Sequence, residues 1–362
     1  MSGVAIIGAG VVGASVAYWL TRLRPGIEVT LIERDRSFSR ASSALSASSI
    51  RQQFSSPINV GMSQFGVQFL RELGIALHEH GYLYLGRAHV LPGVAVLGKR
   101  ELAERFPWLN AADIDVASLG LAGEGWFDGP ALHAELLRRA RSQGARLVDG
   151  EVKGFQFSGN RVTAVRMTDE SSIHCKHAVN AAGPWARAVA AAAGIELPVH
   201  ARRRTVFVLS CPAPLPGCPL VIDPSGFWFR PEGSLFIAGR EPSPDADDLP
   251  LEPNYAEFDE AWWARMAHRV PAFEALRVER AWAGYYEMNL FDHNAVIGAH
   301  PALANLWFAN GFSGHGMQHA AAAGRGVAEL VLHGNFCTLD LSPLGFRRLI
   351  EKRPLLEANV IG

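Results

Sequence analysis

Hydrophobic and polar positions divide the chain into segments of two kinds. Residues 4–7 are an uninterrupted apolar run, the pattern of a strand buried on both faces of a sheet, and they lead into glycines at 8, 10 and 13 and then a helical stretch. A second apolar strand, 28–32, ends at Glu33. The next segment, RDRSFSRASSALSASSIRQQFSS, is rich in serine and small residues and predicts a loop. Helical spacing returns over 57–73 through Val60, Phe65, Phe69 and Leu73. From Gly81 the pattern changes to short alternating runs such as YLYLGRAHVL, then a stretch bearing Phe106, Pro107 and Trp108, then GEGWFDGP, which predict strands of a different sheet.

A helix over 130–143, a strand, a hairpin turning at 158–160 and another strand follow. They lead to an apolar strand at 178–181, then Gly183 and a helix, so the chain returns to the first kind of packing. Between 198 and 286 alternation resumes in RRRTVFVLS and SGFWFRPEGSLFIAGRE, which predict antiparallel strands with Phe227 and Phe229 on one face and Trp228 and Arg230 on the other. An aromatic beside an arginine suits one wall of an anionic substrate site, and stacking of Arg230 on Trp228 explains the pair equally well. The acidic, proline-rich segment 242–254 predicts a surface loop and a candidate lid. Residues 306–332 predict a strand, a glycine turn and a long Ala-rich helix.

At 362 residues the chain is too long for one simple core, and the succession predicts two interleaved domains of mixed α/β (α+β) class. The first takes 1–80, 131–198 and 287–345, the second takes 81–130 and 199–286, and 346–362 is left as a C-terminal tail. Lys plus Arg is 34 against 35 for Asp plus Glu, a formal charge of -1 that calls for no nucleic-acid or acidic-membrane partner. No apolar run reaches the roughly 18–20 residues of a membrane helix, and a first strand at Val4 leaves no room for a signal peptide. A cytoplasmic location is therefore expected, with peripheral membrane association left open. Cys175, Cys211, Cys218 and Cys337 show no CxxC spacing and are expected as free thiols; His174 with His177, and His315 with His319, lack a third ligand, so no metal site is expected.

The glycine spacing GxGxxG carries the first chemical signal. Gly8 permits the sharp turn, Gly10 lets a pyrophosphate approach the backbone, and Gly13 lets helix and strand pack closely. The helix then points free N–H groups at the phosphates. Glu33 lies 20 positions after Gly13, where an acid bonds ribose hydroxyls and disfavours a ribose phosphate, so NADP is not the expected cofactor. Ser42 and Ser43 suit a cofactor phosphate, or equally a solvated turn and a helix cap. This fingerprint alone does not separate FAD from NAD. The second glycine turn, at Gly311, opens a helix whose positive end suits the flavin N1 and C2 carbonyl edge, where negative charge accumulates on reduction, and His315 is placed near the flavin.

GAGVVG with Glu33, VNAAGPWA at 179–186 and GFSGHGMQ at 311–318 together resemble the D-amino acid oxidase superfamily of flavoenzymes, in its glycine and sarcosine oxidase branch, over the whole chain. WAGYYEMNLFDHNAVIG with LDLSP resembles in particular the FAD-dependent oxidoreductase domain-containing proteins, whose mitochondrial member is linked to assembly of respiratory complex I. The resemblance implies a Rossmann-type FAD-binding domain interleaved with an antiparallel-sheet substrate domain. It also implies oxidation of an amine Cα–H or N-methyl C–H by hydride transfer to flavin N5, on a small amino acid or N-alkyl amino acid. Cofactor contacts carry over to Gly8, Gly10, Val12, Gly13, Glu33, Arg34, Ser42, Ser43, Val152, Ala182, Gly183, Trp185, Gly311, Gly314, His315, Gly316, Met317 and Gln318.

SSIRQQF places Arg51 where an arginine after two isoleucines binds the substrate carboxylate, a planar bidentate fork fixing the C–H over the flavin. Gln318, Tyr285, Tyr286, Trp228 and Arg230 are expected to shape the pocket. The chain departs from the family pattern in three places. Gln318 replaces a lysine, which leaves carboxylate binding to Arg51. Gly284 and Ser46 stand where relatives tether flavin covalently, so FAD is expected to be non-covalent. Phe236 or a neighbour stands where a lysine speeds reaction with oxygen, which makes a dehydrogenase using a quinone or an electron-transfer protein a rival to an oxidase. A flavoprotein acting mainly as an assembly or electron-transfer partner of a respiratory complex, or one requiring a partner subunit, is the alternative from another class.

Overall fold

A computed structural model describes residues 3–361. Six strands form its first sheet in the order Val296–Ala299, Leu306–Asn310, His177–Asn180, Val4–Ile7, Val29–Glu33 and Arg146–Asp149. All neighbours run parallel except the edge strand Val296–Ala299. Both faces of this sheet are covered, which is why its strands lack alternation. Val4, Ile6, Val29 and Leu31 face the helices Val11–Leu23, Gly129–Ser142 and Gly316–His333, while Ala5, Ile7 and Ile32 face an antiparallel meander, Val152–Ser158, Arg161–Met167 and Ser172–His174. The helices Val11–Leu23 and Gly316–His333 approach closely because position 324 is glycine: a Cβ there would lie closer than 3.0 Å to Ser15.

The second sheet has eight strands, in the order Arg277–Asn289, Val199–Ser210, Leu235–Gly239, Trp228–Glu232, Leu220–Ile222, Tyr82–Leu85, Val116–Gly120 and Val94–Gly98. It is antiparallel except between Leu220–Ile222 and Tyr82–Leu85. One face packs Phe207, Phe229 and Phe236 against Trp262 of the helix Glu260–Arg269 and against Phe273. The other presents Tyr82, Tyr84, Val206, Trp228 and Ile237 toward the first domain. Between the sheets lies a small one of Ser49–Ile50, Gly125–Phe127 and Leu77–His78.

The acidic segment 242–254 lies at the surface and is anchored there: Asp247 pairs with Arg202 Nε at 2.7 Å, Asp245 pairs with Arg204 Nη1 at 2.7 Å, and Leu249 O accepts from Tyr285 Oη at 2.5 Å. Residues 346–361, expected as a tail, are packed. Arg348 of the short helix Arg347–Ile350 pairs with buried Asp292 at 2.7 Å, and 355–361 run against loop 51–56.

Candidate active site

A groove of about 680 Å³ opens at the glycine turn of the first sheet. Gly8 has φ +94°, and a Cβ there would lie closer than 3.0 Å to Ala181 O; at Gly13 it would be as close to Gly8 O. At Gly10 it would meet only Ser43 Oγ, at 3.5 Å, so the space above Gly10 is open to a ligand. The carboxylate of Glu33 accepts from Ala9 N at 2.9 Å and Asp35 N at 3.0 Å, which ties the glycine turn to the end of the second strand. Gly8, Gly10, Val12, Glu33, Arg34, Ser42, Ser43, Val152, Ala182, Gly183 and Trp185 all line the groove, and the Arg34 guanidinium lies 3.9 Å from the Trp185 ring centroid. Gly13 and Gly311 do not line it. Gly13 lets the helix approach the turn, and Gly311, at φ +73°, bends the chain against Val199 and Asn289.

Val11, Val12, Ser42, Ser43 and Glu287 also line an inner chamber of about 150 Å³. This chamber gathers Arg51, Trp228, Tyr285, Tyr286 and the turn Gly314, His315, Gly316, Met317 and Gln318, with Ser46 and Gly284 among its walls. Arg51 is 3% exposed. Its Nη1 donates to Gln53 O at 2.7 Å, Nη2 donates to Asn359 O, and its Cζ lies 3.8 Å from the Phe54 centroid. No carboxylate pairs with it among the described residues. Gln318 braces Arg51 from behind, its Oε1 accepting from Arg51 N at 2.9 Å and Ser63 Oγ at 3.2 Å. Tyr286 lies flat against Gly314, where a Cβ would collide with the ring, and carries the Arg204 guanidinium 5.1 Å from its centroid.

Two positions named from sequence lie outside the chamber. Arg230 shares the face of Trp228 but sits two residues further along the strand, beyond the chamber; it donates to Ala47 O at 2.8 Å and Pro231 O at 2.9 Å, pairs with Glu232, and stacks 4.8 Å from Trp126 rather than on Trp228. Phe236 belongs to the core beside Phe273. Gly239 and Arg240 line the chamber in that region, and the Arg240 guanidinium pairs with Asp259 at 2.9 Å. An argument from a lost positive charge therefore does not attach to position 236.

Burial sets the charges. His315 is pushed down to about 3 by desolvation and nearby Arg51, so it is a neutral hydrogen-bonding group and no proton store at neutral pH. Burial pushes Glu287 up to about 8, with the N–H groups of Gly311 and Phe312 opposing it. Glu287 is then mostly uncharged at neutral pH and does not cancel the positive end of the helix Gly316–His333. Glu124, under the Arg51 loop, is pushed up to about 7 by burial while accepting from Gln52 N and Gln53 Nε2, both at 2.8 Å.

Glu287, Glu124 and Arg204 were not anticipated from sequence. For Arg204 a signal existed: alternation in RRRTVFVLS puts Arg202 and Arg204 on the face of Val206, and Arg204 pairs in register with Gly284.

Groove and chamber fit a flavin dinucleotide. Ser42 Oγ, Ser43 Oγ and His315 Nε2 are buried with no hydrogen-bond partner, two hydroxyls where a pyrophosphate would pass and one ring nitrogen at the inner end. Relatives support the assignment. The model of the FAD dependent oxidoreductase family (DAO) matches residues 3–330, and the chain belongs to that family. It is 40% identical to FAD-dependent oxidoreductase domain-containing protein 1 of Xenopus laevis, over 99% of this chain and 84% of that protein. Among solved structures it resembles L-proline dehydrogenase from P. horikoshii, with TM-score 0.85 and 27% identity over 98% and 99% of the two chains. It also resembles glycine oxidase from Geobacillus kaustophilus, with TM-score 0.80 and 25% identity over 94% and 97%. The protein is an FAD-dependent oxidoreductase of mixed α/β fold.

Proposed function

We propose that the protein oxidises the C–N bond of a small amino acid or N-alkyl amino acid, giving an imine that hydrolyses. One observation carries this reading: Arg51 is buried in the inner chamber with two neutral carbonyls and a phenyl ring around it and no carboxylate. A buried cation left without a counter-ion is costly, and an anionic ligand supplies the missing charge. The names of the two structural neighbours, a proline dehydrogenase and a glycine oxidase, support a carboxylate-bearing amine. Bound FAD supplies hydride acceptance; it is held non-covalently, because Gly284 and Ser46 offer no thiol or imidazole to the chamber.

Arg51 anchors the carboxylate, and Gln318 holds the Arg51 backbone in place through its Oε1. Tyr285, Tyr286 and Trp228 close the chamber and keep water from the reacting carbon. His315, neutral, offers a ring nitrogen as a hydrogen-bond partner. No side chain acts as a covalent nucleophile. The electrons leave to oxygen, a quinone or an electron-transfer protein, and the rate of reoxidation in air distinguishes an oxidase from a dehydrogenase.

The test is anaerobic mixing of the holoprotein with amino acids, N-methyl amino acids and imino acids, followed by flavin absorbance before and after admitting oxygen. Bleaching by at least one is expected. A flavin that none of them bleaches would favour the assembly or electron-transfer role instead.

A further inference from the structure

Residues 355–361 have no regular secondary structure, so their polar groups require partners from distant parts of the chain. Glu357 is fully buried. Its Oε1 accepts from Ser55 N at 2.8 Å, Ser55 Oγ at 2.7 Å and Asn359 N at 3.0 Å, and its Oε2 accepts from Ser56 N and Asn59 Nδ2, both at 3.0 Å. Five donors and, among the described residues, no cation hold this carboxylate, so it fixes loop 51–56 by hydrogen bonds. On its other side Glu357 N donates to Asp292 O at 3.0 Å, which ties the segment to the Asp292–Arg348 pair.

Beyond this latch the segment reaches the chamber. Asn359 O accepts from Arg51 Nη2, Asn359 Nδ2 donates to Gln53 O at 3.3 Å, and Asn359 Oδ1 accepts from Arg87 at 3.1 Å. Ile361 O accepts from Tyr286 Oη at 3.2 Å, and Ile361 lines the chamber beside Tyr82 and Trp228. A single strand of irregular chain thus touches the guanidinium, the phenol and the apolar wall of one chamber.

We propose that residues 355–361 are a wall of the substrate chamber, latched by Glu357, which positions Arg51 and sets the size of the carboxylic acid admitted; this rests on the reading of Arg51 as the carboxylate anchor. Two carbonyls, one from loop 51–56 and one from this segment, hold two nitrogens of the Arg51 guanidinium and leave its remaining N–H groups to the ligand. Loss of the latch frees Asn359 and Ile361 together. Arg51 then loses one of its two carbonyl supports, and the chamber widens at Ile361.

The experiment titrates holoprotein with sodium acetate, butyrate and octanoate and follows the flavin spectrum. Wild type, Arg51→Gln, Glu357→Gln, Glu357→Ala and Ile361→Ala are compared. Glu357→Ala is expected to weaken butyrate binding about tenfold, with FAD stoichiometry kept, and Glu357→Gln, which retains one acceptor oxygen, to weaken it less. The ratio of octanoate to butyrate affinity is expected to rise about fivefold in both Glu357→Ala and Ile361→Ala. An unchanged ratio in folded Glu357→Ala overturns the proposal, and if that variant does not fold, an unchanged ratio in Ile361→Ala does. Binding that is lost in Arg51→Gln yet wild-type in Glu357→Ala removes the proposal alone. Failure of every acid to perturb the wild-type spectrum removes the carboxylate reading and this proposal with it.

Discussion

The nucleotide groove and the inner chamber adjoin each other and are built in opposite ways. The groove is chiefly backbone, with glycines that let main chain and ligand approach and a carboxylate tying the turn to the neighbouring strand. The chamber is made chiefly of side chains from residues 42–51, six strands of the second sheet, the turn that follows Gly311 and residue 361. A site made of backbone fails when a single atom is added. A site made of converging side chains fails by degrees, and its specificity shifts before its fold is lost.

Variants ordered by expected effect test that difference. Gly13→Val should give no holoprotein at all, because even a Cβ at this position collides with Gly8 O; recovery of flavin-loaded protein by absorbance checks it. Arg51→Gln should leave FAD content intact and weaken carboxylate ligands by about 2–4 kcal/mol, roughly 30- to 1,000-fold, in a spectral titration. Glu33→Ala removes the acceptor of Ala9 N and Asp35 N and should weaken FAD by about tenfold, read by flavin fluorescence on dilution, with carboxylate affinity of the loaded form unchanged.

The smallest effect is a pH slope. Glu287 and Glu124 keep their protons in the folded chain up to about 8 and about 7, well above the ordinary carboxylate range. At these two groups the folded state therefore holds more protons than the unfolded state between that range and about 8, so their contribution to the stability of the FAD-free protein falls as pH rises through the window, while buried histidines such as His315 and His319, held neutral, act in the opposite direction. The urea midpoint of Glu287→Gln should rise relative to that of wild type as pH goes from 5 to 8.5. A difference that does not change with pH would show that Glu287 titrates as an exposed carboxylate.

The same contrast explains how much was legible in sequence. Gly8, Gly10, Gly13 and Glu33 lie within one strand–turn–helix–strand unit, so spacing alone placed them. Alternation correctly put Phe229 in the core and Trp228 on the opposite face. It did not show where along the strand the chamber ends, so Arg230 was expected in the wall and instead stacks on Trp126. The resemblance aligns Phe236 or a neighbour with a lysine that speeds reaction with oxygen, and sequence alone does not show that pairing with Leu209 and Pro231 turns Phe236 into the core. Arg204 passed unnoticed inside a run of three arginines, all of them ion-paired across the sheet edge. Nothing local in LLEANVIG announces that Glu357 meets Ser55 or that Ile361 meets Tyr286, contacts that exist only once both sheets are assembled.

The central claim is that Arg51 makes the chamber a seat for a carboxylate. Its most direct test compares, under anaerobic conditions, the rate of flavin bleaching by one reactive amino acid with the rate by the same amine lacking its carboxylate. Both wild type and Arg51→Gln are measured. The account predicts fast bleaching by the acid in wild type only, with the decarboxylated amine slow in both proteins. Equal rates for acid and amine in wild type, or a rate for the acid that Arg51→Gln leaves unchanged, would contradict it.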